Sequence, residues 1–344
     1  MIHCRKGSAF FAIGQQMWQA AKKLVTENRQ LKTKSYLCTT ILMGAEKKNS
    51  DFWYHVAAFA MILVWGISFL NTRVLLDAGL SPTEIFVARF TIAYLSLLLV
   101  CRFRVKYCGW RDELLFVVCG VAGGSAYFIA ENTALELTLI SDVAVLVSTA
   151  PLTTALMGAI FYRDERISLM TLVGMIIAFV GSVMLALKDG FVWGDSILGD
   201  LLALLAAFVW AFYSMALKRL NRIYSTLFIT RKLFFYGVLS ALPFLALEDS
   251  HPDWQLLGQP EVWGNLLYLG LICSLAAYFI WGITVKRIGA VRASNYFYLS
   301  PIISMIAAAI WFGERTTAIA YIGCVLILAG VIIAEKFKRN PANQ

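Results

Sequence analysis

The second half of this 344-residue chain repeats the first, and each copy carries an odd number of long apolar stretches. Val64-Trp65 returns as Val209-Trp210, Arg89 as Arg231, and Tyr127-Phe128-Ile129 as Tyr278-Phe279-Ile280. Pro151 returns as Pro301, Glu165-Arg166 as Glu314-Arg315, and the pair Gly174 and Gly181 as Gly323 and Gly330. The order is kept, and the separations run only from 142 residues (Arg89 to Arg231) to 151 (Tyr127 to Tyr278). A unit that crosses a bilayer an odd number of times delivers its own copy upside down. The repeat therefore predicts two inverted halves related by a pseudo-twofold axis in the membrane plane.

A hydrocarbon core of about 30 Å asks a helix for roughly 20 apolar residues. Such stretches fall at 52–72, 82–101, 114–131, 142–162, 168–187, 198–217, 226–247, 263–285, 294–312 and 317–335. With 60% apolar and 15% charged residues, the chain does not suit a water-soluble globule, where about 25% charged is usual. Backbone groups in lipid must be satisfied within the segment, so the expected fold is an all-α membrane protein. It has ten transmembrane helices arranged as two inverted five-helix repeats. The expected divisions are a leader (1–51), a first repeat (52–187), a second repeat (198–335) and a basic tail (336–344).

The net charge of +9 marks orientation, and no nucleic-acid partner is expected. With alternating loops, one side collects Arg102, Arg104, Lys106, Arg111, Arg163, Arg166, Lys218, Arg219, Arg222, Lys286, Arg287, Arg292 and the basic tail. The other side holds only Arg73, Lys188 and Arg315. This positive-inside bias predicts a multi-pass protein of the cytoplasmic (inner) membrane with both termini in the cytoplasm. In the leader, Phe10, Ile13, Met17, Ala21 and Leu24 share one helical face, as an interfacial helix would. The alternative is that Met43 opens the chain proper.

The seven cysteines show no metal-ligand spacing, and the three histidines, 3, 55 and 251, lie outside the middle of any span. No metal, no cofactor and no catalytic constellation are expected, so an intramembrane enzyme is disfavoured. There is no GxxxxGK[ST] sequence to bind a nucleotide.

Residues expected to line a substrate path are the charged, polar, aromatic and helix-breaking ones inside spans. They are Trp65, Ser68, Arg89, Glu131, Asn132, Ser148, Pro151, Trp210, Tyr213, Arg231, Tyr278, Trp281, Asn295, Tyr298 and Pro301. Arg89 lies roughly 10 Å below the outer end of its span, at a depth where arginine costs about 2.5–3.5 kcal/mol. It should face the interior, either as a gate or carboxylate clamp, or as a structural ion pair with Glu131. Arg231 matches it near the inner end, to meet an anion or to snorkel to the headgroups beside Lys232. Pro151 and Pro301 should kink spans four and nine, freeing the carbonyls of Val147 and Phe297. Such kinks either line a cavity or improve packing. The aromatic residues suit flat or amphipathic solutes, and Glu131 beside Asn132 could carry proton or ion coupling. The glycine pairs, seven residues apart, read as close helix packing, with spans five and ten the candidates.

The ten-span layout, Trp65-Gly66, Arg89, the stretch YFIAENTAL (127–135), STAPL (148–152), Gly313-Glu314 and the paired glycines together resemble the EamA-type drug/metabolite transporters. The likeness covers residues 52–335. The chain departs from that pattern with Asp164-Glu165 in place of Gly-Glu and Trp210-Ala211 in place of Trp-Gly. The resemblance implies a secondary transporter that exports amino acids, related metabolites or amphipathic toxic compounds by alternating access. Its partners would be a small-molecule solute, the lipid bilayer and a possible homodimer mate. A flippase for a lipid-linked precursor is the alternative on the same fold. A membrane receptor or assembly subunit is the alternative of another class.

Overall fold

Apolar runs of this length can satisfy their backbone in lipid by hydrogen-bonding along the helix, and the computed structural model is helical, with no strand among the described residues. It describes residues 52–100, 107–161, 168–186, 197–248, 256, 259–312 and 317–336. The leader up to 51, the tail from 337, Glu165-Arg166 and Gly313-Glu314-Arg315 lie outside the described residues.

The first half contains α1 (Phe52–Asp77), α2 (Pro82–Val100), α3 (Trp110–Leu137), α4 (Ile140–Val147), α5 (Ala150–Phe161) and α6 (Leu169–Ala186). The second half contains α7 (Ile197–Asn221), α8 (Thr226–Leu247), α9 (Pro260–Ile288), α10 (Ala290–Ser294), α11 (Ser300–Phe312) and α12 (Ala318–Lys336). Among the described residues seven helical segments are long and apolar enough to cross a membrane (α1, α2, α3, α4 continued by α5, α7, α8 and α9), where ten spans were expected. The other three expected spans coincide with α6 and α12, whose apolar parts are shorter, and with the interrupted segment from α10 to α11.

Local chemistry explains several boundaries. Ser81 and Glu84 form a reciprocal cap at the start of α2: the Glu84 backbone N–H donates to the Ser81 hydroxyl, and the Ser81 N–H donates to the Glu84 carboxylate. Gly79, before α2, and Gly289, between α9 and α10, adopt φ of 101° and 90°, a conformation glycine takes without strain.

The irregularities recur at matching places in the two halves. A π-helical turn widens α3 at Val121–Ser125 and α9 at Tyr268–Ala276, in each case just before the repeated Tyr-Phe-Ile. Spans four and nine are broken: α4 stops at Val147, and a 3-10 stretch, Asn295–Leu299, separates α10 from α11. The predicted kinks are a two-residue turn, Ser148-Thr149, and the 3-10 stretch, each on the N-terminal side of its proline. Pro151 and Pro301 occupy the second position of α5 and α11, where the missing N–H costs no helical hydrogen bond. The Ser148 and Thr149 hydroxyls donate back to the carbonyls of Val145 and Leu146, which closes the end of α4.

Helix registers fix relative directions. Lys232 meets Glu113 while Ser240 meets Ser125, so α8 runs parallel to α3. Tyr296 meets His55 while Ser304 meets Gly66, so the span ending in α11 runs parallel to α1. Asn265 meets Asn71 while Cys273 meets Trp65, so α9 runs antiparallel to α1. Those directions are the ones an inverted second half requires. A side-chain carbon added to Gly174 would stand 2.5 Å from the Ala334 backbone nitrogen, and one on Gly181 would stand 2.7 Å from the Gly323 carbonyl oxygen. Glycine thus lets α6 and α12 touch backbone to backbone and antiparallel, as the spacing predicted.

The halves interleave. In addition to its own neighbours, α1 packs on α9 and α11, and α7 packs on α3, α4 and α5. Each half sends its first helix into the other.

Candidate functional site

Four elements carry large aromatic side chains to the junction of the halves. Trp65 of α1 lies 5.5 Å from Trp210 of α7, 5.2 Å from Trp281 of α9 and 5.7 Å from Phe297 in the 3-10 stretch, measured between ring centroids. Tyr213 continues the cluster, 4.8 Å from Trp210 and 5.8 Å from Tyr278. Edge-on aromatic pairs of this kind add about 0.5–1.5 kcal/mol each beyond the area they bury.

The π turns tie these rings to the opposite half. The Trp65 indole N–H donates to the Cys273 carbonyl at 2.9 Å, and the Tyr278 hydroxyl donates to the Gly123 carbonyl at 2.5 Å. Both acceptors lie inside the widened turns, where the regular helical hydrogen-bond pattern is broken. Gly123 is small because Tyr213 lies across it: an added carbon there would stand 2.4 Å from the ring.

Beside this cluster is a narrow crevice of about 20 Å³, lined by Ile62, Trp65, Ser68, Phe69, Tyr127, Phe128, Glu131, Trp210, Phe297 and Ser300. Of the expected path residues, Trp65, Ser68, Glu131 and Trp210 line it. Tyr213, Tyr278 and Trp281 stand in the ring cluster against it. Ser148, Pro151, Asn295, Tyr298 and Pro301 are buried in or next to the two helix breaks. Among them, Asn295 Oδ1 and the Tyr298 hydroxyl have no hydrogen-bond partner.

The charged residues depart from expectation. Arg89, 1% exposed, does not pair with Glu131. Its Nε donates to Ser274 Oγ at 3.0 Å, and its guanidinium carbon lies 4.1 Å from the Phe128 ring centroid. Glu131 instead accepts from the Tyr127 hydroxyl at 2.5 Å. Asn132, its neighbour in sequence, turns away from the crevice and donates to the Pro82 carbonyl at 3.0 Å, holding the start of α2. Successive residues on a helix point about 100° apart, so adjacency in sequence does not make a site. Arg231, 7% exposed, is buried in the bundle, its guanidinium carbon 5.5 Å from the Phe228 ring centroid. Arg231 therefore does not snorkel, and its neighbour Lys232 is buried as well. It is 1% exposed and donates to Glu113 at 2.6 Å, while the Tyr236 hydroxyl also donates to Glu113.

That last group closes the end of the bundle at which α3 and α8 begin. Glu113 stands at the start of α3 and Lys232 at the start of α8. Around them Phe116 packs on Tyr224 and Phe228, and the Tyr224 hydroxyl donates to Asp112 at 2.6 Å. Burial, reinforced by the bond to Asp112, pushes the Tyr224 hydroxyl well above its ordinary range. Burial likewise raises the Cys108 thiol.

Sequence reasoning missed Glu113 and Lys232, although a lysine inside an apolar run is itself a signal of a buried partner. It also missed Tyr127, Phe128 and Phe297 as lining residues. The first two were visible as part of the repeated Tyr-Phe-Ile.

Comparison with known proteins places this geometry. The chain is 28% identical over 297 residues to a protein of Salmonella typhimurium named "Probable amino-acid metabolite efflux pump", with 80% of this chain and 92% of that one covered. It is 26% identical over 285 residues to a Streptantibioticus cattleyicolor protein named "Probable terminal-alkyne amino-acid exporter", covering 81% and 93%. A solved crystal structure shares the fold with a TM-score of 0.66 at 23% identity, covering 84% of this chain and 99% of that one. Residues 52–187 and 197–335 each match the EamA-like transporter family, and the chain belongs to that family of membrane transporters.

Proposed function

We propose that this transporter exports amino acids, related metabolites or amphipathic drugs across the cytoplasmic membrane, by alternating access around the aromatic crevice. The observation that carries the reading is the crevice itself. It sits where the two halves meet and is walled by Trp65, Trp210 and Phe297, with Glu131 as its one charged lining residue. Its lining, mostly apolar with a few polar groups, has the chemistry to wall a small solute with an apolar body once the packed elements part to widen it. The two relatives named as an amino-acid exporter and an amino-acid metabolite efflux pump support the solute class and the direction.

The crevice is lined from the middle of α1 (Ile62 to Phe69) and the C-terminal half of α3 (Tyr127 to Glu131), while Lys232, Glu113 and Tyr236 knit the end at which α3 and α8 begin. This favours an inner end closed beneath the site. The charge bias of the loops supports cytoplasmic termini, and Glu131 is the group best placed for proton or ion coupling. Residues 52–187 and 198–335 would act as the two repeats.

The test is flux of labelled amino acids and cationic drugs from proteoliposomes containing the purified protein. We expect protein-dependent flux that falls at least tenfold in W65A and W210A. Lipid flipping without solute flux would establish the flippase reading instead.

A further inference from the structure

The first turn of α1 is fastened to the break in span nine through one imidazole. His55 Nδ1 lies 2.7 Å from the Tyr296 hydroxyl in the 3-10 stretch, and His55 Nε2 lies 3.2 Å from Nη2 of Arg292 in α10. A guanidinium has only donors to offer, so Nε2 must be the accepting nitrogen. That fixes the imidazole as neutral, with its proton on Nδ1 and donated to Tyr296. An imidazolium would turn Nε2–H toward the Arg292 N–H, setting two donors and two like charges face to face. Protonation of His55 and its bond to Arg292 therefore exclude each other.

The neighbours add positive charge. Lys286 and Arg287 end α9, and the Arg287 guanidinium carbon lies 5.8 Å from the ring centroid of Tyr54, the residue before His55. The helix α11, also packed on α1, has no titratable residue, and α2 has none after Tyr94. Contacts of α1 with α3 and α4 gather around Phe69, about 20 Å along the helix from His55. His55 is half-buried, so a proton can reach it. What it holds is a weak point, because a 3-10 stretch has poorer hydrogen-bond geometry than an α-helix. Phe297, the residue after Tyr296, stacks on Trp65 and lines the crevice.

We propose that His55 is a pH-sensitive latch: neutral, it fastens the first turn of α1 to the break in span nine, and protonated, it releases Arg292 and loosens the 3-10 stretch beside the crevice. Imidazole changes charge between about pH 5 and 8. The latch holds at the alkaline end of that range and is lost as the pH falls through it.

Nitrogen NMR of the full chain, isotope-labelled at histidine and carrying H3Q and H251Q, reads the imidazole of His55 by itself. At about pH 8 we expect the Nδ1–H tautomer, giving way to imidazolium on acidification. Hydrogen exchange of the backbone amides in Asn295–Leu299 reads the release, with H55Q as the reference at each pH so that the chemical exchange rate cancels. Glutamine keeps an acceptor for Arg292 and a donor for Tyr296 but takes up no proton. The stretch with His55 in place should exchange like H55Q at about pH 8 and at least threefold faster at about pH 5.5. An Nε2–H tautomer at the alkaline end would overturn the proposal on the His55 imidazole alone, whether or not H55Q folds. So would a stretch that exchanges like that of H55Q across the whole range.

Discussion

At the scale of residues, the Lys232–Glu113 pair shows how unequal the two members of an ion pair are. Lys232 is 1% exposed, whereas the Glu113 side chain keeps 17% of its surface. Removing the carboxylate strands a buried ammonium, whose only remaining help is the faces of Phe116, Phe228 and Tyr236. Removing the ammonium leaves a carboxylate that still has the Tyr236 hydroxyl, the Cys108 backbone N–H and some water. E113Q is therefore expected to cost about 3–5 kcal/mol of stability and K232M distinctly less. The double variant should recover part of the E113Q loss, as coupling in a double-mutant cycle. Thermal unfolding in detergent reads all three; equal losses in the two single variants would contradict the asymmetry. The pair was hidden in the sequence because Glu113 follows Arg111 and Asp112, and three charged residues together read as loop. Its partner is 119 residues away. Arg89 was legible as an interior cation from depth alone, but depth does not say which way a side chain turns around the helix axis. Its hydroxyl partner, Ser274, comes from the far half of the chain.

Elements were legible in proportion to how local their cause is. Long apolar runs bounded by charge give the helices, because lipid leaves the backbone no other partner. The glycine pairs gave the α6–α12 contact, because only hydrogen at those positions lets two backbones meet. A test follows from that geometry. An added side-chain carbon on Gly330 would stand 2.4 Å from the Ala178 nitrogen and 2.5 Å from the Gly174 carbonyl oxygen, both backbone atoms that cannot step aside. G330V should cost about 1–3 kcal/mol by overpacking and lower the unfolding temperature in detergent. The same change at Gly264, where an added carbon meets nothing within 4 Å, should have little packing cost. The π turns were not legible. Nothing in Val121–Ser125 or Tyr268–Ala276 encodes a wider turn locally; the turns are accompanied by tertiary bonds, Trp65 to Cys273 and Tyr278 to Gly123. The helix breaks were half legible: proline marks their neighbourhood, but the hydroxyls of Ser148 and Thr149 decide where α4 ends.

At the scale of the whole molecule, the sequence repeat and the packing divide the chain differently. The repeat divides it near the segment between Ala186 and Ile197, yet α1 packs on α9 and α11, and α7 packs on α3, α4 and α5. The Trp65 ring lies among Trp281, Tyr278 and Phe297 of the other half, and its indole N–H is satisfied there. A first half by itself would leave that N–H and ring without their neighbours; a second half would leave Trp210 and Tyr213 without Trp65, Tyr127 and Gly123. Two consequences follow for any motion that exposes the crevice to alternate sides. Separating the two sequence halves as rigid bodies would pull α1 and α7 out of their seats, an expectation against the halves as the moving bodies. They are better drawn as α1 with α9–α11 against α7 with α3–α5, with the α6–α12 pair tying the halves together elsewhere. A chain cut between Ala186 and Ile197 tests this directly. Each fragment expressed alone should fail to give a folded, detergent-stable protein. The two expressed together should assemble and restore solute flux, because all the interleaved contacts form without the linker. If either fragment alone purified as a stable folded unit, the halves would be independent domains and the interleaved bodies would be the wrong division of the molecule.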